Sequence, residues 1–184
     1  MDKKAYIINI ATSLFQKKGY MSVGLNELLS ACNISRGAFY HHFPLGKEQL
    51  LITCLASLRE FIAEDSKRII NNHNTTAEAV QAILKQLIND YTSKGTIVGY
   101  TFTSIVSEMG AVSEEVRKAC TSLYEELETI ISKKLEQDGK EREAAKQHAL
   151  FIVSTIEGGI ILTLTKKTVQ PLEIIAHQLK RILE

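Results

Sequence analysis

Between Ile34 and Phe43 the chain reads ISRGAFYHHF: a serine and an arginine, two residues with almost no side chain, then five ring-bearing residues in succession. An arginine guanidinium can make two parallel hydrogen bonds to guanine O6 and N7 in the major groove, the commonest specific base contact. Phenol, imidazole and lysine ammonium groups donate to phosphate oxygens. Ser35 has the chemistry of a helix N-cap, its hydroxyl accepting from an early backbone N–H. The spacing therefore predicts a helix from Arg36 to about Phe43, stopped by Pro44. On it Ile34, Phe39 and Phe43 turn inward, the last two one helical turn apart. The opposite side presents Arg36, Gly37, Ala38, Tyr40 and His41. Gly37 and Ala38 are small enough to let the helix start press into a groove. Tyr40, His42 and Lys47 carry donors for phosphates, and Lys47 stands at a helix N-terminus, where backbone N–H groups favour anions. This is chemistry for holding double-stranded DNA.

Such a helix needs a frame. Ile7, Ile10, Ala11, Leu14 and Phe15 recur at the spacing of a helix with one buried face. Lys17, Lys18 and Gly19 end it, cations in the last turn and then glycine. Leu25, Leu28, Leu29 and Cys32 repeat the pattern in a short second helix, which Asn33 can close in the left-handed conformation. Three helices joined through Asn33-Ile34-Ser35 make a helix-turn-helix candidate. Beyond Pro44-Leu45-Gly46, periodicity predicts helices near 47–71, 77–94, 97–109, 114–137, 141–165 and 171–183, with Thr76 as a cap and Pro171 in a first turn. Strand signals are nearly absent. The fold expected is all-α with about nine helices: a DNA-binding domain over residues 1–46 and a larger domain over 47–184.

Composition is that of a globular protein, 45% hydrophobic and 23% charged with a net charge of +1. The charge is unevenly spread: residues 1–50 hold six Lys/Arg against three acids, the remaining 134 sixteen against eighteen. A basic module on a mildly acidic body suits anion contact at one end. No run reaches the roughly 18 apolar residues of a spanning helix, and the N-terminus lacks signal-peptide character. A cytoplasmic location without membrane contact is expected. Cys32, Cys54 and Cys120 lack metal-ligand spacing and read as buried reduced thiols. No G-x-G-x-x-G or G-x-x-x-x-G-K-[ST] occurs, and the five histidines are scattered, so no metal, no cofactor and no catalytic residue is expected. A helical module that docks to another protein is disfavoured by the basic head and its small groove-facing residues.

Residues 1–52 resemble the DNA-binding domain of the TetR family of bacterial repressors, through ATSLFQKKGY, LNELLSACNIS, RGAFYHHF and GKEQLL. The resemblance implies phosphate contacts for Tyr40, His42 and Lys47, and a base-facing surface at Arg36, Gly37, Ala38 and His41. Where the family usually has a threonine capping the second helix, Val23-Gly24 stands, so Gly24 must serve through its backbone. Asn33 replaces a common glycine, and Pro44-Leu45-Gly46 is one residue longer than usual. With VGLNELL and GYTFTSIVSEMGAVSEEVRKA (residues 99–119), these features are similar to a subgroup of lincomycin-resistance and flavonoid-responsive repressors.

The family likeness implies that residues 47–184 bind a small-molecule effector and form a homodimer on a palindromic operator; a constitutive or activating regulator without inducer is the alternative. Phe61, Tyr91, Tyr100, Phe102 and Thr103 combine flat apolar surface with hydroxyls, as do Val106, Met109, Tyr124, Phe151 and Thr155. That composition suits a planar aromatic effector. The segment HALFIVSTIEGGIILTL is apolar for more than four turns. Each helical glycine costs about 1 kcal/mol relative to alanine, and close approach across a subunit interface offsets it. Gly158, Gly159, Ile160 and Leu162, with Ile175 and Leu179 of the last helix, are the expected four-helix interface.

Overall fold

The computed structural model describes residues 2–97, 105 and 113–183, and every regular element among them is an α-helix. These are α1 (Lys3–Lys18), α2 (Leu25–Cys32), α3 (Arg36–His42), α4 (Lys47–Asn71), α5 (Thr76–Lys94), α6 (Glu114–Gln137), α7 (Arg142–Lys166) and α8 (Gln170–Leu183). The helix expected over 97–109 falls almost wholly outside the described residues. Contacts divide the chain into two compact units, Met1–Glu60 with Thr101–Ser122 and Phe61–Tyr100 with Leu123–Glu184. The start of α4 belongs with the head: it buries Leu50, Leu51, Cys54 and Leu55, and the Cys54 thiol approaches the Ile8 carbonyl oxygen at 3.6 Å.

In the first unit local chemistry sets each helix end. Asp2 caps α1 by accepting from the Lys4 N–H, and Gly19 closes it at φ 78°, its N–H reaching the Phe15 carbonyl. Asn33 closes α2 at φ 50° and ψ 52°, a left-handed conformation that asparagine tolerates. Its own N–H reaches Ser30 and that of Ile34 reaches Leu29, the paired bonds that turn the chain sharply into α3. Ile7, Ala11, Phe15, Leu28, Phe39 and Phe43 are all essentially solvent-free. Phe39 and Phe43 meet as tilted rings with centroids 5.6 Å apart, so the inward half of α3 is a seat for the helix.

The second unit buries one continuous apolar cluster from α4 to α8, with Ala79, Leu84, Leu135, Ala149, Ile152 and Leu172 fully enclosed. Its α5 cap is Thr75, not Thr76. Both residues have the hydroxyl, but only Thr75 has a glutamate three positions on, so Thr75 and Glu78 satisfy each other's backbone N–H groups in a capping box. Thr76 instead donates its N–H to the Asp138 carboxylate at 2.6 Å.

By length and composition α7 could cross a membrane, with a mean hydropathy of 1.5 over its most apolar stretch. This corrects the expectation that no segment reaches that threshold. The apolarity has a different use here: Ala145, Ala149, Ile152, Val153, Ile156 and Ile160 are core.

Candidate nucleic-acid interface and ligand cavity

The outward side of α3 begins at the Ser35 cap, whose Oγ accepts from the Ala38 N–H at 3.2 Å. Arg36, Gly37 and His41 are exposed, Tyr40 is 42% exposed, and Ala38 and His42 are half-buried. A Cβ on Gly37 would come no nearer than 4.0 Å to its closest neighbour, so space around the first turn is open. Tyr40 rests edge-on against Phe39, centroids 5.3 Å apart, a contact that restrains the ring. Gly24 takes the capping position of α2 in extended conformation with no side-chain bond, and both it and Asn26 in the following turn are exposed.

Two relationships were not legible in the spacing. Arg36 donates from Nη2 to the Asn26 Oδ1 at 3.1 Å, linking the first turn of α3 to the first turn of α2. Lys18 pairs with Glu27, tying the end of α1 to that same turn. Sequence distance hides both, since the partners are ten and nine residues apart.

Lys47 is engaged within the head. Its ammonium donates to the Tyr20 carbonyl oxygen at 2.7 Å and lies 4.0 Å from the Tyr20 ring centroid. Burial, and then the nearby Glu48 charge, push the Tyr20 phenol up, so the ring stays neutral and presents its electron-rich face to the cation. Lys47 is thus first a strut between α4 and the α1–α2 loop.

In the second unit, side chains of α4, α5, α6 and α7 enclose a cavity of about 280 Å³. Its walls are mostly aliphatic, including Ile62, Ile83, Leu127, Ile131, Val153 and Ile156, with Phe61 supplying the one aromatic ring among the described lining. Asp65, Ser66, Gln86, Asp90, Lys94 and Glu157 complete it. Of the ten residues expected to line a pocket, Phe61 does so. Tyr91 and Tyr124 instead pack against the apolar cluster, Phe151 is exposed, and Thr155 spends its hydroxyl on the Phe151 carbonyl at 2.7 Å. Tyr100, Phe102, Thr103, Val106 and Met109 lie outside the described residues.

The expected interface set also divides. Gly159 is buried within the chain: a Cβ there would meet Ile175 Cδ1 at 2.5 Å and Leu172 Cδ2 at 2.9 Å. The close approach that favours glycine is therefore α7 on α8 of the same molecule. Ile160 lines the cavity, Leu179 is 1% exposed, and Ile175 packs against the core. Gly158 has nothing within 4 Å, and Leu162 is open to solvent beside exposed Leu150, Phe151 and Ile161. Ile174 and Ile182 are the exposed apolar residues of α8.

All three thiols are buried. Burial pushes the Cys54 thiol up to about 12 and that of Cys120 up to about 11, and raises Cys32 as well. They are protonated packing residues at neutral pH.

Residues 7–54 match the model of bacterial regulatory proteins of the tetR family, and residues 76–178 match that of the LmrA/YxaF-like transcriptional regulator C-terminal domain. The HTH-type transcriptional regulator LmrA of Bacillus subtilis is 34% identical over 171 residues, spanning 93% of this chain and 91% of LmrA. The HTH-type regulator YxaF of the same organism is 32% identical over 178 residues, spanning 97% and 93% of the two chains. The reduced form of Escherichia coli NemR matches the fold with a TM-score of 0.90 at 21% identity, over 100% of this chain and 98% of that one. Both halves of the chain thus answer to one family, and the protein belongs to it: a TetR-family helix-turn-helix transcriptional regulator of the LmrA/YxaF-like subgroup, not an enzyme.

Proposed function

We propose that two copies of this regulator hold a palindromic operator as a repressing homodimer, and that a small apolar effector in the cavity releases them. The observation that carries the reading is the outward side of α3, an open first turn bearing Arg36, Gly37 and Ala38 on a helix whose other side is pinned by Phe39 and Phe43. Arg36 is the candidate for a guanine edge. Tyr40, His41 and His42 supply donors along the same helix, and Lys47 reaches a phosphate only if it leaves or shares its Tyr20 seat. Ser35 and Gly24 offer backbone N–H groups at the starts of their helices.

The exposed apolar residues of α7 and α8 support the dimer. Leu150, Phe151, Ile161 and Leu162 lie open beside Gly158 on one helix, and Ile174 and Ile182 on the other. Leu162 and Gly158 keep the interface role expected of them, whereas Gly159, Ile160 and Leu179 act inside the chain. Two heads so joined read half-sites about one helical turn, roughly 34–36 Å, or a multiple of it apart. An effector shifts the balance only through different affinities for the DNA-competent and incompetent arrangements. The helix available to carry that shift is α4, which starts in the head at Lys47 and lines the cavity with Phe61, Ile62 and Ile69. A regulator of this kind works where the DNA is, in keeping with the expected cytoplasmic location.

The test is selection of bound duplexes from a random pool by purified protein. Enrichment of a palindrome bound by two protomers supports the reading, and enrichment of no sequence contradicts it.

A further inference from the structure

We infer that Leu45 and Met21 form an apolar clamp on one strand of the operator, packing against deoxyribose beside the phosphates that Tyr40 and Lys47 hold. This rests on the reading of α3 as the DNA-facing helix. It adds an affinity that neither salt nor base sequence controls.

Among the described residues of the first unit, the exposed large hydrophobic side chains are Met21, Tyr40 and Leu45, at 67%, 42% and 81%. Sequence separates Met21 from the other two, yet all three belong to one place. Leu45 is the third residue of a tight turn that follows Pro44 and closes with the Gly46 N–H on the Phe43 carbonyl oxygen at 2.9 Å. A Cβ on Gly46 would stand 3.9 Å from Tyr40 Cε1, so the turn lies against the Tyr40 ring. The next residue, Lys47, donates to the carbonyl oxygen of the Tyr20–Met21 peptide at 2.7 Å. One ammonium therefore links the turn carrying Leu45 to the loop carrying Met21. Single apolar side chains scattered over a surface are ordinary, whereas a group of them around one polar point marks a contact surface.

The turn is held as well as exposed. The Leu45 N–H donates to Gln49 Oε1 at 2.9 Å, and the Leu50 N–H to the Gly46 carbonyl oxygen at 3.2 Å. A leucine on so fixed a backbone loses little further freedom when it is covered.

The chemistry of the patch names its occupant. A cation and a phenol set among apolar side chains match a nucleic-acid strand, in which anionic phosphates alternate with deoxyribose rings edged by C–H groups. The patch lies in the basic part of the chain, where residues 1–50 hold six Lys/Arg against three acids. It is also continuous with α3 through Tyr40.

The experiment measures binding of the full chain to the labelled selected operator, and to operator variants with one changed base pair, by fluorescence anisotropy over a range of KCl concentrations. Leu45→Ala should lose about fivefold in affinity on every duplex and Met21→Ala about threefold, a part of what full burial of such side chains provides. In both, the slope of log affinity against log salt should match the wild-type chain, because no phosphate contact is lost. Lys47→Gln should instead flatten that slope by about one. Leu45→Met should keep wild-type affinity. Circular dichroism melts should show each variant folded, since the replaced side chains are exposed. Unchanged affinity in Leu45→Ala and Met21→Ala, the result a protein-docking patch would give, overturns the clamp and leaves the DNA reading standing. A loss that varies with base sequence or alters the salt slope overturns it as well. Absence of duplex binding by the wild-type chain overturns both.

Discussion

The guanidinium of Arg36 is held by the side-chain oxygen of Asn26 at 3.1 Å, so a residue of α2 aims the one arginine of α3. A bare arginine on an open helix start would sample many rotamers. Fixing one of them in advance reduces the ordering cost of meeting a guanine.

Loss of that restraint should look unlike loss of the arginine. Arg36→Ala should relax sequence choice at one position of each half-site, by about 1–3 kcal/mol of discrimination. Asn26→Ala should relax the same position by less and leave binding to non-cognate duplex unchanged. Competition binding with operator variants carrying a single changed base pair measures both. If Asn26→Ala alters a different position, the aiming role is wrong.

Tyr40→Ala should weaken binding to all sequences about equally, because a phosphate contact carries no base information. Lys47→Ala should act twice. It removes the hydrogen bond and the cation–ring contact to Tyr20, costing the head about 1–2 kcal/mol of stability, and it lowers DNA affinity. Denaturant melts beside binding isotherms separate the two effects. Unchanged stability would show that the Tyr20 seat is not occupied in solution.

The neighbouring glycines should respond in opposite directions. Gly159→Ala places a methyl group against Leu172 and Ile175 and should lower the melting temperature despite the gain in helix propensity, a net loss of about 1 kcal/mol. Gly158→Ala meets nothing within the chain and should cost no protomer stability. If Gly158 packs against a second copy, the same change should weaken self-association, read by sedimentation at several concentrations.

Much of the head was legible because its signals are local. Gly19, Asn33 and Ser35 act on N–H and C=O groups within five residues, and the inward pair Phe39 and Phe43 follows from helical spacing alone. The cap of α5 falls on Thr75 rather than its neighbour Thr76 because Glu78, three positions after Thr75, completes the capping box. The cavity was not legible. A cavity is where side chains from four helices fail to meet, and no spacing within one helix encodes that. Rings such as Tyr91 and Tyr124 were expected to line it because core and pocket walls draw on the same residues. Its polar wall depends on which helix faces Asp65, and Gln86 stands 21 residues away.

Alkaline pH should destabilise the fold through Cys54. Its thiol titrates at about 12 in the folded chain against 9.0 as the ordinary value. A raised pKa means the folded state keeps its proton longer. That contribution is constant below pH 9 and lost as pH climbs from 9 towards about 12. Denaturant midpoints across that range should fall less in Cys54→Ala than in the wild-type chain. At neutral pH the three native thiols should react slowly with an alkylating reagent and quickly after unfolding.

The claim that matters most is that α3 of two protomers enters the major groove. Methylation of guanine N7 on the selected operator tests it directly, since N7 lies on the major-groove edge that Arg36 would read. The expected result is interference at two symmetric guanines, about one helical turn or a multiple of it apart, lost from the pattern in Arg36→Ala. Interference confined to adenine N3 in the minor groove, or absent with binding intact, would contradict it.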